Sequence, residues 1–183
     1  ILTSDINLSS FGDWTPIGSY TNSTNKNPFT GSFDGNGYSI TRLIINRPET
    51  DYVGLFGYTE GATIKNVALE DVDIKGGSST GGLVGMAWSS NVITNSYATG
   101  KVMGTGNYTG GLVGVAVRST KITNSYATGS VSGTGDYTGG LVGEAYKSTI
   151  TNSYATGEVT GEGDNTGGLV GYADSSTITN SYA

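Results

Sequence analysis

Cysteine and histidine are both absent from the 183 residues of this chain, and their absence removes several kinds of chemistry. Without cysteine there can be no disulfide bond and no thiolate metal site. Without histidine the chain lacks the commonest general base and the commonest metal ligand, which excludes Ser-His-Asp and Cys-His catalysis within it. We therefore predict a protein without a cofactor, with calcium as the one metal that scattered carboxylates leave open.

Charged residues are also scarce, at 13% of the chain, and the acidic ones predominate to give a net charge of −6 at pH 7. Phosphate binding needs a basic surface, so this balance argues against a nucleic-acid partner. There is no polybasic patch for anionic lipids. No apolar run approaches the roughly 18–20 residues that span a bilayer. The partners that remain are surface glycans, proteins and further copies of the chain.

The chain is rich in glycine, with 31 residues, and it repeats itself at a fixed period. The motif Gly-Gly-Leu-Val-Gly and the motif Ile-Thr-Asn-Ser-Tyr-Ala each occur four times, at steps of 28 or 29 residues. The first motif begins at Gly81, Gly110, Gly139 and Gly167, and the second at Ile93, Ile122, Ile150 and Ile178. A diverged earlier copy consists of Val53–Gly57 followed by Ile64-Lys65-Asn66. Repeats of this length indicate a solenoid or another repeat architecture.

The spacing within a copy separates a constant part from a variable part. From the Ile of one motif to the first Gly of the next, the distance is always 17 residues. All variation in length falls between Gly-Leu-Val-Gly and the following Ile. This pattern predicts stacked coils with one corner that tolerates an extra residue.

The units are predicted to be extended rather than helical, because β-branched and aromatic residues dominate and no 3.6-residue apolar stripe persists. A propeller blade is the alternative, but blades are usually nearer about 40 residues. We predict an all-β chain that forms a right-handed parallel β-helix, or β-solenoid, of about five to six coils of 28–29 residues. Residues 1–50 are expected to form irregular N-terminal coils. Residues 51–183 are expected to form the repeat coils, ending within a repeat as a fragment of a longer rod.

Several stretches beside the repeats carry a family resemblance: Leu2–Leu8, Trp14–Gly18, Phe29–Ile40 and Val53–Gly57. Together with the Gly-Gly-Leu-Val-Gly blocks, they resemble the GLUG-type repeats of bacterial and archaeal surface proteins, some of them adhesin-like. Such repeats also occur in the non-catalytic part of IgA1-type metallopeptidases. The peptidase members carry a zinc motif with two histidines, which this chain lacks, so the resemblance does not imply peptidase activity.

Two columns of repeated side chains are the candidate sites. The first is a structural amide ladder, because stacked Asn side chains can donate and accept along the axis. It consists of Asn66, Asn95, Asn124, Asn152 and Asn180. The second is a rank of tyrosines that strand alternation places on the outside, where the rings would either stack on one another or bind sugar rings. It consists of Tyr97, Tyr126, Tyr154 and Tyr182.

Acidic side chains are the candidates for calcium or for glycosidase chemistry. Calcium needs six to eight converging oxygens, and a glycosidase needs paired carboxylates across a groove. The calcium candidates form two groups: Glu70, Asp71 and Asp73, and the turn residues Asp136, Glu162, Asp164 and Asn165. Only Ser19–Pro28 is irregular and long enough to wall a cleft, and it consists mostly of Asn, Ser and Thr.

These observations predict a non-enzymatic cell-surface or extracellular protein segment with a structural or adhesin-like role. Two alternatives remain open within binding and assembly: a carbohydrate-binding module that uses the tyrosine column, and a self-assembling fibre joined end to end through its open coils. A polysaccharide-active β-helix enzyme is the alternative from another class.

Overall fold

The computed structural model describes residues 1–183 as an all-β solenoid of about five turns, without any helix. Four parallel sheets run along its axis, and neighbouring strands within each sheet come from successive coils. Ile93, for example, pairs with Ile64 on one side and with Ile122 on the other. The predicted parallel β-solenoid is therefore confirmed, and the propeller alternative is wrong.

Two of the sheets lie on either side of the corner that contains the Asn column, and we call them the Ile sheet and the long sheet. The Ile sheet, before the corner, has six strands: Ser32–Asp34, Thr63–Lys65, Val92–Thr94, Lys121–Thr123, Thr149–Thr151 and Thr177–Thr179. The long sheet, after it, has nine strands: Ile6–Asn7, Ser39–Thr41, Ile44–Arg47, Ala68–Gly76, Tyr97–Gly104, Tyr126–Ala127, Ser130–Gly133, Tyr154–Ala155 and Val159–Gly161.

The other two sheets complete each coil. The Thr-Gly sheet has four strands: Thr80–Gly81, Thr109–Gly110, Thr138–Gly139 and Thr166–Gly167. The aromatic sheet has five strands: Phe56–Glu60, Val84–Trp88, Val113–Val117, Val142–Tyr146 and Val170–Asp174. A single antiparallel hairpin leaves the coil and consists of Ser19–Asn22 and Asn25–Asn27. No helix in the chain could cross a membrane.

The corner that tolerates an extra residue lies between the aromatic sheet and the Ile sheet. Val117 pairs with Tyr146, and Lys121 pairs with Thr149, so this corner has three residues in one coil and two in the next. The strands on either side keep their register. An extra residue is absorbed there because the corner residues 118 and 119 are exposed and adopt positive φ.

The 17-residue constant spacing conceals one irregularity. In the diverged coil, Leu69 and Val72 lie opposite Ala98 and Gly100, so one extra residue interrupts the ladder there. The same coil is one residue shorter between Gly76 and Thr80 than its neighbour is between Gly104 and Thr109. The two changes cancel in the sequence spacing. Asp71, at the bulge, accordingly has a φ of 55°.

The core consists of columns of equivalent apolar residues stacked along the axis. Ile64, Ile93, Ile122 and Ile150 are all 0% exposed, and they belong to one cluster of 28 buried residues. Leu83, Leu112 and Leu141 form a second such column. Burying one such side chain contributes roughly 1.5–3 kcal/mol, so the stability of the solenoid accumulates from coil to coil.

The N-terminal residues extend the same sheets. Ile6 pairs with Ile40, and Ile40 pairs with Leu69 of the following coil. Leu8, Leu43 and their neighbours join the same buried cluster. The hairpin leaves the coil path, and the boundary near residue 50 stays a prediction.

Candidate recognition surfaces

The Asn column forms a hydrogen-bonded amide ladder at one corner of the solenoid. From Asn95 onward, the Nδ2 group of each Asn donates to the Oδ1 atom of the Asn one coil before it, at 3.2–3.3 Å. The backbone φ angles of these residues lie between 49° and 54°. Asn tolerates this left-handed conformation better than most residues, so the same side chain meets both the conformational and the hydrogen-bonding demand.

A Ser column, made of the buried residues Ser96, Ser125 and Ser153, lies directly after the Asn ladder and was not predicted from the sequence. Each Ser Oγ donates to the carbonyl oxygen two residues before it and accepts the backbone N–H of a residue in the preceding coil. For Ser125 these partners are Thr123, at 2.8 Å, and Ser96, at 3.2 Å. Ser96 and Ser125 are both 0% exposed. The available signal was a hydroxyl residue at the same position of every Ile-Thr-Asn-Ser-Tyr-Ala motif.

A carboxylate ends the Asn ladder at its N-terminal side. Asp34 Oδ1 accepts the Nδ2 group of Asn66 at 2.9 Å and the backbone N–H of Asn36 at 2.9 Å, and Oδ2 lies 3.2 Å from the ammonium group of Lys65. The bond from Asn66 is the main reason why the pKa of Asp34 falls below its ordinary value of 3.8. The hydrogen bonds favour the ionised form.

Removing the ladder amide that caps Asp34 is expected to raise the pKa of this carboxyl group toward 3.8. The change is Asn66→Gly, because glycine keeps the φ of 54° at this position. Since the folded pKa is lowered, the contribution of Asp34 to stability is present at neutral pH and is lost as pH falls through that lowered pKa. A carbon-13 NMR titration of the carboxyl group measures the shift.

Asn180→Gly serves as the control, because it removes an equivalent ladder residue at the far end of the column. It should leave the titration of Asp34 unchanged. An Asp34 midpoint that is the same in wild type and Asn66→Gly would show that the ladder does not extend to the carboxylate.

The tyrosine column consists of parallel stacked rings on the outer face of the long sheet. The ring centroids of Tyr97, Tyr126, Tyr154 and Tyr182 are 4.7, 4.8 and 5.2 Å apart in turn, with interplanar angles of 4–6°. The alanines that follow the first three tyrosines point into the core. Because neighbouring rings cover one another's faces, what the column offers along its length is ring edges and hydroxyls. Its role in ligand binding stays a prediction.

The hydroxyl at the start of this column has a fixed partner. Tyr97 donates its hydroxyl to Glu70 Oε1 at 2.7 Å. Burial, followed by the bond to Glu70, raises the pKa of Tyr97 above its ordinary value. Glu70 is one of the predicted calcium candidates, and in the structure its carboxylate accepts this hydrogen bond from the first ring of the column.

Of the other acidic candidates, Asp71 and Asp73 lie on the strand Ala68–Gly76, and Asp136, Glu162 and Asp164 lie at corners between strands. Asp136 Oδ1 accepts the backbone N–H of Asp164 in the next coil at 3.0 Å, and Asp136 N–H donates to Asn107 Oδ1 at 3.0 Å. These side chains therefore link successive turns. No group of three or more Asp and Glu residues is arranged to hold a metal ion.

A pocket at the N-terminal end of the aromatic sheet brings several aromatic side chains and polar groups together around one concavity. We call it the aromatic pocket, and its volume is about 320 Å³. It is lined by Tyr20, Ser23, Lys26, Tyr52, Tyr58, Met86 and Trp88. The centroid of the Tyr20 ring lies 5.1 Å from that of Tyr58 and 5.5 Å from that of Tyr52. Three separate chain segments thus meet around one space.

Each wall of the pocket has its own structural origin. The antiparallel hairpin supplies Tyr20, Ser23 and Lys26. Tyr58 and Trp88 project from adjacent coils of the aromatic sheet, where the register pairs Tyr58 with Met86 and Trp88 with Glu60. Tyr52 stands at a corner with a φ of 61°, just before the Thr-Gly sheet.

Two cations lie at the pocket, one paired with a carboxylate and the other stacked on an aromatic ring. Lys26 Nζ lies 2.8 Å from Glu60 Oε2, and the guanidinium of Arg118 lies 4.3 Å from the centroid of the Trp88 ring. Burial, followed by the nearby Glu60 carboxylate, raises the pKa of Tyr58 to about 12. Burial also raises the pKa of Tyr52. Both hydroxyls are therefore protonated at neutral pH and can donate hydrogen bonds.

Sequence reasoning identified one wall of this pocket but not the others. Ser19–Pro28 was recognised as a segment able to wall a site. Tyr52, Tyr58 and Trp88 lie outside the repeated motifs, and Trp88 lies in a connector. The signal that was present is a set of aromatic residues at outward positions of two adjacent coils, which becomes visible only when the register is known.

Comparison with known proteins finds one matching repeat motif and two proteins of similar sequence. The model of the GLUG motif matches three times, at residues 105–132, 134–160 and 163–183. Halomucin of Haloquadratum walsbyi is 36% identical over 110 residues, which is 56% of this chain and 1% of halomucin. A protein of Evansella cellulosilytica described as a Gly-rich membrane protein is 40% identical over 74 residues, 37% of this chain and 8% of that protein.

A solved structure shares the fold. It is a Bacteroides ovatus protein described as an immunoglobulin A1 protease, with a TM-score of 0.66 and 21% identity, and the match covers 98% of this chain and 66% of the other. The chain thus spans only a small part of its curated relatives and about two thirds of this structural neighbour. The resemblance found in the sequence is confirmed where the GLUG motif model matches, in three repeats between residues 105 and 183, and the chain as a whole forms a parallel β-solenoid.

Proposed function

We propose that this chain is a non-enzymatic, adhesin-like segment of an extracellular or cell-surface protein. The observation that carries the proposal is the GLUG solenoid itself, in which every outward side-chain position recurs once per coil, about every 4.8 Å. A periodic surface of this kind suits contact with repetitive partners. The relative described as a membrane protein supports a location at a surface.

The way the solenoid is stabilised also fits a role outside the cell. The chain has no disulfide, so its rigidity rests on 115 backbone hydrogen bonds and on the Asn and Ser columns. Backbone ladders between successive coils do not depend on the redox state of the surroundings. A segment built in this way can hold its shape in an extracellular medium.

The distribution of carboxylates supports a binding role over a catalytic one. A glycosidase needs two carboxyl groups about 5–9.5 Å apart on either side of the scissile bond. The aromatic pocket has no carboxylate among its lining residues. Glu60, the nearest acidic group to its hairpin wall, is paired with Lys26 at 2.8 Å. We propose glycans or proteins on neighbouring cell surfaces as the partners.

Labelling of intact cells tests the location. Antibodies raised against the purified chain should bind intact cells of the producing organism, and protease treatment of those cells should remove the signal. An antibody against a cytoplasmic protein, which should bind only permeabilised cells, is the control. Labelling that requires permeabilisation would overturn the proposed location.

Adhesion and catalysis are tested with the same purified chain. Beads coated with it should attach to cells or to immobilised surface glycans, and beads coated with heat-unfolded chain should not. Incubation with soluble polysaccharides should release no reducing ends or unsaturated products. Release of such products by the chain would contradict the non-enzymatic assignment.

A further inference from the structure

We propose that the aromatic pocket binds one pyranose ring of a neutral glycan. The inference deepens the proposed function and rests on it for the setting at a surface. It places recognition at the hairpin end of the aromatic sheet, on residues that the repeat motifs do not contain. The tyrosine column on the long sheet is a different surface.

The size of the pocket matches a single sugar ring. Its volume of about 320 Å³ lies at the lower end of the roughly 300–1,000 Å³ typical of small-molecule sites. A single pyranose with its substituents is a ligand of that scale, whereas a dinucleotide is too large. A longer glycan would enter with one residue in the pocket and the rest outside it.

The aromatic rings of the pocket are arranged differently from the stacked column. Tyr20 is inclined by 35° to Tyr58 and by 76° to Tyr52, so these rings do not lie face against face. Tyr20 and Tyr52 are partly exposed, so parts of their rings are available to the C–H groups of a sugar, whereas Tyr58 is buried at 2% exposure. The Arg118 guanidinium lies over the Trp88 ring at 4.3 Å and helps to hold that indole in place.

The polar groups of the pocket suit hydroxyls. The phenol groups of Tyr20, Tyr52 and Tyr58 and the hydroxyl of Ser23 can each donate and accept a hydrogen bond. A ligand with several hydroxyls around an apolar ring face satisfies such a set. An aliphatic ligand would leave these groups without partners, which costs affinity when they are desolvated.

Charge decides between a neutral and an anionic sugar. Lys26 is the only cation in the pocket wall, and Glu60 neutralises it at 2.8 Å. A uronic acid or a phosphate would have to compete with that carboxylate, within a chain whose net charge is −6. The pocket therefore favours a neutral pyranose over an acidic one.

Two matched variants test the site. Tyr20→Ala removes a ring on the hairpin, outside the buried core cluster, and Tyr126→Ala removes a ring from the stacked column. The probes are methyl pyranosides of glucose, galactose and mannose, together with their neutral oligosaccharides. Polygalacturonate and a proline-rich peptide are the comparison ligands. Circular dichroism checks that both variants keep the wild-type fold.

Binding can be followed through an indole in the pocket itself. The chain has two tryptophans, and a Trp14→Phe background leaves Trp88 as the only one. A neutral glycan should change the Trp88 fluorescence, and Tyr20→Ala should weaken the binding about tenfold or more. Tyr126→Ala should bind as the wild type does.

Four results would overturn the inference: binding of none of the neutral probes, equal binding by Tyr20→Ala, loss of binding in Tyr126→Ala alone, or preference for polygalacturonate or the peptide. Failure here is distinguishable from failure of the proposed function. A wild-type chain that labels intact cells and mediates bead attachment, yet binds no neutral pyranose, would reject the pocket and leave the surface role standing.

Discussion

Replacing Ile122 by alanine is expected to lower the free energy of unfolding by about 2–5 kcal/mol. The side chain is 0% exposed and is stacked between Ile93 and Ile150 of the adjacent coils. Alanine removes the apolar atoms and leaves a cavity. Backbone hydrogen bonds on both sides hold the neighbouring strands in register, so the coils cannot close the cavity. Urea unfolding followed by both tyrosine fluorescence and circular dichroism measures the loss.

Lys121→Ala is the matched control for this substitution. Lys121 lies on the same strand, one residue earlier, and its side chain is exposed. A surface change of this kind should alter stability by no more than about 0.5 kcal/mol. A similar loss of unfolding free energy in the two variants would mean that burial of the Ile column does not stabilise the coils.

Replacing Ser125 by alanine is expected to lower the free energy of unfolding by about 1–3 kcal/mol, although almost no apolar surface changes. The hydroxyl accepts the backbone N–H of Ser96 and donates to the carbonyl of Thr123. Without it, the buried N–H of the preceding coil has no acceptor. The same urea experiment measures the loss, and faster amide hydrogen exchange at Ser96 locates it.

Asn124→Gly separates the Ser column from the Asn ladder. Glycine keeps the φ of 50° at that corner and removes both ladder hydrogen bonds of Asn124. Because Asn124 is exposed, water can replace the lost bonds, and we expect the smaller loss of stability here. A larger loss for Asn124→Gly than for Ser125→Ala would reverse the order of importance that we assign to the two columns.

The features that could be predicted from the sequence are those that every coil repeats. The recurring Ile and the Gly-Gly-Leu-Val-Gly block predicted the positions of the Ile sheet and of the core columns. The variation in connector length predicted the position of the variable corner. Asn at the same position of five coils predicted the amide ladder, because an Asn side chain carries both a donor and an acceptor. Parallel stacking then follows, since each coil buries its apolar residues only against the next.

The features that could not be predicted from the sequence depend on the pairing register between strands, or on residues that occur in only one coil. The bulge at Asp71 was hidden because a compensating deletion before Thr80 kept the spacing at 17 residues. The aromatic pocket was hidden because Tyr20, Tyr52 and Trp88 come from segments far apart in the chain. Their proximity results from coil stacking, which brings residues about one repeat apart to within a strand spacing of each other.

The two surfaces also differ in how they arise. The tyrosine column is a product of the repeat, and its rings are parallel because equivalent residues stack directly. The aromatic pocket arises where the repeat is broken by the hairpin, and its tyrosine rings meet at 35–77° instead of stacking in parallel. This contrast is why we propose ligand recognition for the aromatic pocket rather than for the tyrosine column.

Spin-label distances along one column test the stacking of the coils most directly. The chain has no native cysteine, so cysteines at Thr177 and, in turn, Lys121, Val92 or Thr63 carry labels at two, three and four strand steps. The account predicts that each added step lengthens the backbone separation by about 4.8 Å. Distances that failed to increase linearly with the number of coils would contradict the solenoid.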